Sequence, residues 1–314
     1  STPLVLAEYA LEARHYEINV EAARIARRAA DALSTAERPR FVAGSMGPTT
    51  KAISVTGGVT FDELKENYYQ QAKGLWEGGV DILLLETCND TRNVKAALLA
   101  IKRLKAERNL AKLPVMVSGT IEPTGTMLGG QTAESLWISL ADQDLLSIGL
   151  NCATGPEFMT DHLRTLHEHA HACISCYPNA GLPDVEGNYL ETPEKLAKAL
   201  SRFADNGWLN IVGGCCGTTP AHIRAIAEMA AARPPRGSKP ASHRAVFSGV
   251  DTVEVEDSSR PLLVGERTNV IGSRAFKRLI AEEKWDEATD IARRQVRTGA
   301  HIIDVCLQSS DRDE

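Results

Sequence analysis

The sequence predicts an α/β fold built around a parallel sheet, and three of its features favour this class. Six strand–helix units follow one another between residues 41 and 232, an alternation typical of parallel sheets. The apolar run Ile82–Leu85 indicates a strand that is buried on both faces. Polar residues and glycines collect after the strands, at the end where a (β/α)8 barrel carries its active site. Six strands do not close such a barrel, so either the sheet is open or two strands are absent.

The elements are predicted in chain order from local patterns. The first helix rests on apolar residues at roughly helical spacing, namely Tyr16, Ile18, Ala22, Ile25 and Ala29. Thr60 is assigned as the N-cap of the second helix. Helices are predicted at residues 2–32, 61–77, 91–107, 133–142, 157–170, 193–205 and 219–232. Strands are predicted at residues 41–45, 80–86, 114–118, 146–151, 172–177 and 209–213. Because no strand leads into the first helix, we expect a truncated N-terminus.

The regular alternation ends after residue 232. Residues 233–260 are rich in Pro, Gly, Ser, Asp and Glu, and this composition is typical of an interdomain linker. A strand at 262–266, helices within 273–299 and a strand at 301–306 then begin a second β/α series. We therefore predict domains at residues 1–232 and 261–314, and we expect the second barrel to be incomplete.

Composition and charge exclude several classes of function. A net charge of −6 gives no reason to expect nucleic acid or an anionic membrane as a partner. No run of 18 uncharged apolar residues and no signal-peptide pattern is present, so nothing points to membrane insertion or export. The seven cysteines are odd in number and not spaced as a disulfide framework, which favours a cytoplasmic location and metal binding or catalysis.

Two cysteine-bearing segments carry the strongest chemical signal. In Asn210–Pro220 a short apolar strand runs through glycines into the adjacent thiols of Cys215 and Cys216. We expect Gly213, Gly214 and Gly217 to bend the chain there, because glycine tolerates positive φ angles. A second strand ends at Cys152 in the same manner. Three thiolates at strand ends form a plausible zinc site with one open position. Buried, inert cysteines or a strained disulfide between neighbours are the alternatives.

Four motifs in the first 232 residues resemble the homocysteine S-methyltransferase domain. They are Gly44–Pro48, Asp81–Glu86, Gly149–Pro156 and Gly213–Pro220. The resemblance implies a (β/α)8 TIM-type barrel that lacks its first two strands here. It also implies a Zn²⁺ ion on Cys152, Cys215 and Cys216, and methyl transfer to the thiol of homocysteine.

The second segment narrows this resemblance. Leu263–Ser273 and Gly299–Val305 resemble the opening of a pterin-binding domain that uses methyltetrahydrofolate, although Cys306 stands where that family often has Asn. This domain order is similar to that of the cobalamin-dependent methionine synthases. It implies methylcobalamin as immediate donor, held by a cobalamin-binding domain outside this chain, and 5-methyltetrahydrofolate as ultimate donor. The alternatives are a homocysteine methyltransferase with another donor and a non-catalytic zinc-binding barrel fragment.

The resemblance also assigns roles to side chains around the thiols. Asn179 matches a residue whose oxygen fills the fourth zinc position until substrate displaces it, and a turn asparagine is the alternative. Glu86 matches a carboxylate that holds the substrate ammonium, and the alternative is a solvated acidic side chain at the end of an apolar strand. The hydroxyls of Ser45, Ser118 and Thr120 are candidates for the substrate carboxylate or for capping turns. Asn151 is expected to orient the site. Candidates for pterin contacts are Glu266, Arg267 and Asn269, but binding is not expected here because most of that barrel is absent.

The remaining cysteines and a histidine cluster are interpreted as structural. Cys173 and Cys176 lie three residues apart on a strand, so they point to opposite faces, and core packing is favoured over redox or metal chemistry. Cys88 has no partner in sequence. The three histidines between residues 167 and 171 lie near a helix end, where such side chains suit the helix dipole.

Overall fold

Six parallel strands form the main sheet of the protein and lie side by side in chain order. The computed structural model describes residues 1–241, 244–259 and 261–309. The strands are β1 (Ala43–Met46), β2 (Ile82–Cys88), β3 (Val115–Gly119), β4 (Ser147–Cys152), β5 (Cys173–Pro178) and β6 (Ile211–Val212). An order without reversal is that of a barrel, since a doubly wound sheet reverses at a switch point. The predicted α/β class is confirmed, and the six strands are consistent with a partial TIM-type barrel.

Helices alternate with these strands. They are α1 (Pro3–Leu6), α2 (His15–Leu33), α3 (Phe61–Glu77), α4 (Thr91–Arg108), α5 (Ala133–Leu140), α6 (Thr160–His169), α7 (Pro193–Asp205) and α8 (Pro220–Ala231). The structure confirms the predicted bounds of α3 and α7. Thr60 caps α3 as predicted: its Oγ1 accepts the Glu63 N–H at 3.2 Å, and the Glu63 carboxylate accepts the Thr60 N–H at 2.8 Å.

The first helix differs from its prediction. Instead of one helix over residues 2–32, α1 and α2 are separated by two short 3₁₀ turns, and Ala10 between them is left-handed with φ 55°. The predicted apolar face is also wrong, because Tyr16 and Ile25 are exposed. The buried residues of α2 are Asn19, Val20 and Ala23. A face made of one amide and two small or branched side chains leaves little apolar periodicity to detect.

The core of the first unit lies between the sheet and its helices. All five residues of β3 are buried, as are the first five of β4, which is expected for strands covered on both faces. From the helix side, Leu136 and Trp137 of α5 are fully buried, and the Trp137 indole N–H donates to the His169 carbonyl at 3.1 Å. This hydrogen bond joins α5 to the end of α6.

The segment after α8 contacts the residues that link α6 to β5. Arg236 is 5% exposed, and its guanidinium donates to the carbonyls of Ala170 and Ala172. A small two-stranded sheet follows, formed by β7 (Val246–Ser248) and β8 (Thr252–Glu254). The Ser248 hydroxyl donates to the Ser135 carbonyl of α5 at 2.8 Å. The predicted linker region therefore carries secondary structure of its own.

The described residues form two compact units. The first unit holds the initial described range and Ser248–Thr252, and the second holds Arg244–Phe247 and the residues from Val253 onward. In the second unit β9 (Val264–Asn269) pairs in parallel with β10 (Ile302–Cys306). Its helices, within the predicted 273–299 range, are α9 (Arg274–Ala281) and α10 (Trp285–Arg297). None of the helices in the described part combines the length and apolar character needed to span a bilayer.

Candidate metal centre and substrate site

Three cysteine thiols converge beyond the carboxyl ends of β4 and β6. Cys152 ends β4, and Cys215 and Cys216 follow β6 after a short turn. Their Sγ atoms lie within 4.8 Å of one another; Cys152–Cys216 is 3.8 Å and Cys215–Cys216 is 4.0 Å. A disulfide has a length of about 2.05 Å, and all three cysteines are free. Three sulfurs each about 2.3 Å from one tetrahedral ion stand about 3.8 Å apart, so the cluster fits zinc.

Local backbone turns aim these thiols at one point. Cys152 and the residue after it both have left-handed φ angles, 62° and 53°, which turn the chain sharply at the end of β4. Gly217 supplies the positive φ predicted for it, at 76°. The prediction is wrong for Gly213 and Gly214, whose φ angles are not positive. Gly214 is needed for space instead, because a Cβ there would lie 2.3 Å from a threonine side chain.

Asn179 joins the two cysteine-bearing turns. Its Oδ1 accepts the Cys216 N–H at 3.0 Å, and its Nδ2 donates to the Ala153 carbonyl at 3.0 Å. The side chain is 4% exposed, so both contacts lie out of water. Asn179 therefore holds the turn that carries Cys152 against the turn that carries Cys216.

Asn151 makes a second connection, from the thiols toward β2 and β3. Its Nδ2 lies 3.7 Å from Cys215 Sγ and 2.8 Å from Thr87 Oγ1. Its Oδ1 accepts the Thr87 N–H at 2.9 Å and the Ser118 hydroxyl at 2.7 Å. Thr87 is left-handed with φ 56°, a strained conformation for a β-branched residue, and it lies where the register of β2 shifts against β3. Asn151 holds this bulge in place.

Of the other predicted substrate residues, Ser45 and Glu86 contact each other, and Ser118 and Thr120 are buried. Ser45 donates its hydroxyl proton to the Glu86 carboxylate, which brings the ends of β1 and β2 together. Ser118 is fully buried and already donates to Asn151. Thr120 is buried as well, and its backbone N–H donates to the carbonyl of Cys88 at 2.9 Å. Sequence reasoning missed Thr87 and Tyr177, and for Tyr177 the available signal was its position at a strand end, two residues before Asn179.

The thiols differ in how readily they ionise. A hydrogen bond from Cys215 lowers the pKa of Cys152 to about 5, and the same hydrogen bond raises the pKa of Cys215. Burial raises the pKa of Cys88 to about 12 and also raises that of Cys176. Because a thiolate is the form that binds metal, Cys152 is the thiol best prepared to bind one, and the two buried thiols are not.

The remaining cysteines and histidines lie outside the cluster. Cys176 is a core residue, and its Sγ lies 3.8 Å from the Met159 sulfur, whereas Cys173 is half-buried. His167 accepts the Arg236 Nε proton at 3.3 Å, and the His171 ring contacts Trp137 edge-on at 4.8 Å between centroids. Within the ranges that the structure describes, the three cysteines are the only His, Cys, Asp or Glu cluster spaced to hold a metal.

In the second unit the predicted pterin residues lie on β9. Glu266 and Arg267 are exposed, and a weak ion pair of 3.7 Å links them. The Asn269 Nδ2 donates to the Asp304 carboxylate at 2.8 Å across the pair of strands. Cys306 lies opposite Asn269 in the register. Asp304, in the middle of β10 where its register with β9 shifts, is a polar residue that sequence reasoning did not single out.

Comparisons with known proteins agree with this geometry. The family model for homocysteine S-methyltransferase matches residues 1–230, and the model for pterin binding enzyme matches residues 265–314. The apo form of the homocysteine methyltransferase MmuM from Escherichia coli is 23% identical, with a TM-score of 0.55, over 69% of this chain and 75% of that chain. Its metallated form is 25% identical, with a TM-score of 0.56, over 72% of this chain and 75% of that chain.

A parallel sheet in barrel order with three converging thiols at its carboxyl edge defines a barrel-type α/β protein with a candidate metal centre. The chain belongs to the homocysteine S-methyltransferase family, whose model covers most of its length. The pterin-binding match that follows it gives the domain order of cobalamin-dependent methionine synthase. Homocysteine methylation is thus the activity that this family assignment supports.

Proposed function

We propose that this chain carries out zinc-dependent methyl transfer to the thiol of homocysteine, forming methionine. Methylcobalamin is the immediate methyl donor and 5-methyltetrahydrofolate the ultimate one. The observation that carries the proposal is the spacing of the Cys152, Cys215 and Cys216 sulfurs, 3.8 and 4.0 Å, which matches three ligands of one tetrahedral zinc ion. The metallated form of the MmuM structure is a further support.

Zinc would be held by the three cysteines, and it would supply the acidity that keeps the homocysteine thiol as a thiolate at neutral pH. Asn179 lies at the edge of the cluster, and its Oδ1, which accepts the Cys216 N–H, would be a fourth ligand that homocysteine could displace. Asn151 fixes the orientation of Cys215 through its amide N–H. A thiolate is the nucleophile that methyl transfer needs, because a free thiol with a pKa near 8.5 is mostly protonated at neutral pH.

Glu86 would receive the ammonium group of homocysteine. Its carboxylate accepts a hydrogen bond from the Ser45 hydroxyl and lies at the same edge of the sheet as the thiols. Binding the amino-acid end there and the sulfur at the cluster would hold the substrate at both ends. In the second unit, Glu266, Arg267 and Asn269 are the proposed pterin contacts.

The test of the proposal is zinc content combined with X-ray absorption on the purified protein, with and without homocysteine. We expect close to one zinc per chain, with three sulfur neighbours that become four when homocysteine binds. A folded protein, checked by circular dichroism, that binds no zinc would contradict the proposal. An unchanged sulfur count with homocysteine bound would contradict the open position.

A second candidate is a homocysteine methyltransferase that uses another methyl donor. The homocysteine S-methyltransferase match names no methyl donor and so allows it, whereas the pterin-binding match in residues 265–314 favours a folate-derived methyl group. Incubation of the zinc-loaded protein with homocysteine and free methylcobalamin distinguishes the two. Methionine formed from methylcobalamin, and not from S-methylmethionine or betaine, is the result expected from the first proposal.

A further inference from the structure

Tyr177 is a polar residue of the substrate edge that has no assigned role. It lies opposite Asn151 in the pairing of β5 with β4. On its other side lies Gly213, where an added Cβ would be 3.4 Å from the Tyr177 Cβ. Its hydroxyl oxygen is buried and has no hydrogen-bond partner among the described residues. A buried hydroxyl without a partner carries a desolvation penalty, so its retention at a strand end points to a ligand.

The neighbours of this hydroxyl indicate which ligand group it would meet. Burial raises the pKa of Tyr177, the nearby Ser118 hydroxyl lowers it, and the nearby Glu86 carboxylate raises it further. The hydroxyl therefore lies beside the carboxylate proposed to bind the substrate ammonium. Both serine hydroxyls nearby already donate their protons, Ser45 to Glu86 and Ser118 to Asn151. Tyr177 thus supplies the donor that these serines no longer offer.

We propose that the Tyr177 hydroxyl donates a hydrogen bond to the α-carboxylate of homocysteine. The ammonium group brings only donors, whereas the carboxylate brings only acceptors, so the carboxylate is the group that satisfies the unpaired phenol. The two groups are attached to the same carbon, so a carboxylate next to an ammonium on Glu86 reaches the neighbouring hydroxyl. This inference rests on the proposed function and adds a substrate-binding residue to it.

The test is Tyr177→Phe, assayed by calorimetric titration of the zinc-loaded protein with two thiols. Homocysteine carries the carboxylate, and 3-aminopropane-1-thiol is the same molecule without it. We expect the Kd for homocysteine to rise roughly 10- to 100-fold, the range for one hydrogen bond to a charged group. The Kd for 3-aminopropane-1-thiol should not change. The melting temperature without ligand should stay the same or rise, because the substitution removes an unsatisfied buried hydroxyl.

Tyr69→Phe is the matched control. Tyr69 is also buried, but its hydroxyl donates to Glu107 on the outer helices, so its loss should lower the melting temperature and leave both Kd values unchanged. Equal homocysteine affinity in Tyr177→Phe and the parent protein would overturn the inference. So would an equal loss for both thiols, or a lower melting temperature. Failure of the parent protein to bind homocysteine would instead overturn the proposed function.

Discussion

At the residue scale, one amide side chain connects the thiol cluster with Glu86, the carboxylate proposed to bind the substrate ammonium. Asn151 contacts Cys215 with its Nδ2, and it holds Thr87, the neighbour of Glu86, through two hydrogen bonds. It is fully buried, so no water replaces these contacts. The distance between the proposed metal site and the proposed ammonium site therefore depends on a rigid, solvent-excluded contact rather than on flexible loops.

Replacing any one cysteine of the cluster should remove the metal. Cys152→Ala, Cys215→Ala and Cys216→Ala each leave two thiolates, and a zinc site with one open position needs three protein ligands. We expect zinc per chain, measured by atomic emission after dialysis, to fall to near zero in each variant. Cys173→Ala is the control, since Cys173 is half-buried outside the cluster and should keep its zinc. If a variant retains full zinc, the cysteine that it replaces is not a zinc ligand.

Replacing Glu86 should weaken binding of the substrate and spare the metal. Glu86→Gln keeps the shape of the side chain and removes the negative charge that would pair with the ammonium group. We expect the homocysteine Kd to rise by roughly 10-fold or more, with zinc content unchanged. The affinity for 4-mercaptobutyrate, which has no amino group, should remain as in the parent protein. If homocysteine binds the variant with unaltered affinity, Glu86 does not hold the ammonium.

At the scale of elements, α2 and α3 pack through a close backbone approach that glycines permit. A Cβ on Gly78 would lie 2.5 Å from the Ala23 Cβ and 2.6 Å from the Val20 carbonyl oxygen, and one on Gly74 would lie 2.9 Å from the Asn19 Cβ. Neither glycine has a positive φ angle, so both are required for space and not for backbone conformation.

Gly78→Ala should therefore destabilise the fold, although alanine favours helix over glycine. The added methyl group meets backbone that does not yield easily, and we expect a loss of about 1–3 kcal/mol in the free energy of unfolding, measured by urea denaturation. Gly237→Ala is the control, because a Cβ there meets nothing within 4 Å. An equal change in both variants would contradict a steric origin.

How much of this fold is predictable from the sequence depends on how local each signal is. The bounds of α3 and α7 were predictable, because Thr60 and Thr192 cap them with contacts only three residues away. The buried face of α2 was not predictable, because it packs against glycines of α3 and its C-cap that lie more than 50 residues further along the chain.

The same distinction applies to the candidate site. Cys215 and Cys216 stand together in the chain, and with Cys152 at another strand end they predicted a cluster that the structure brings together. Tyr177 was missed because its position matters only through strand pairing, which sets it opposite Asn151. The bulge at Thr87 was missed for a related reason, since Asn151, 64 residues away, is what holds it.

At the scale of the whole molecule, the two compact units differ greatly in their cores. The first unit has a large cluster of buried apolar side chains, whereas the second has a cluster of six: Val270, Phe276, Leu279, Ile280, Ala288 and Ile291. A small unit buries a smaller fraction of its surface and is correspondingly less stable. We therefore expect two unfolding events, with the second unit opening at lower free energy.

Peptide-resolved hydrogen exchange, measured with and without ligands, tests whether the two units unfold separately. Amides of α9 and α10 should exchange faster than those of β3 and α4 in the absence of ligand. Zinc and homocysteine are proposed to bind the first unit only, and a ligand at 100 times its Kd stabilises the state that binds it by about 2.7 kcal/mol. Added together, they should slow exchange through unfolding of the first unit and leave α9 and α10 unchanged. Equal slowing in both units would mean that they unfold as one cooperative body, and Cys216→Ala, which lacks the proposed metal, should show no slowing in either unit.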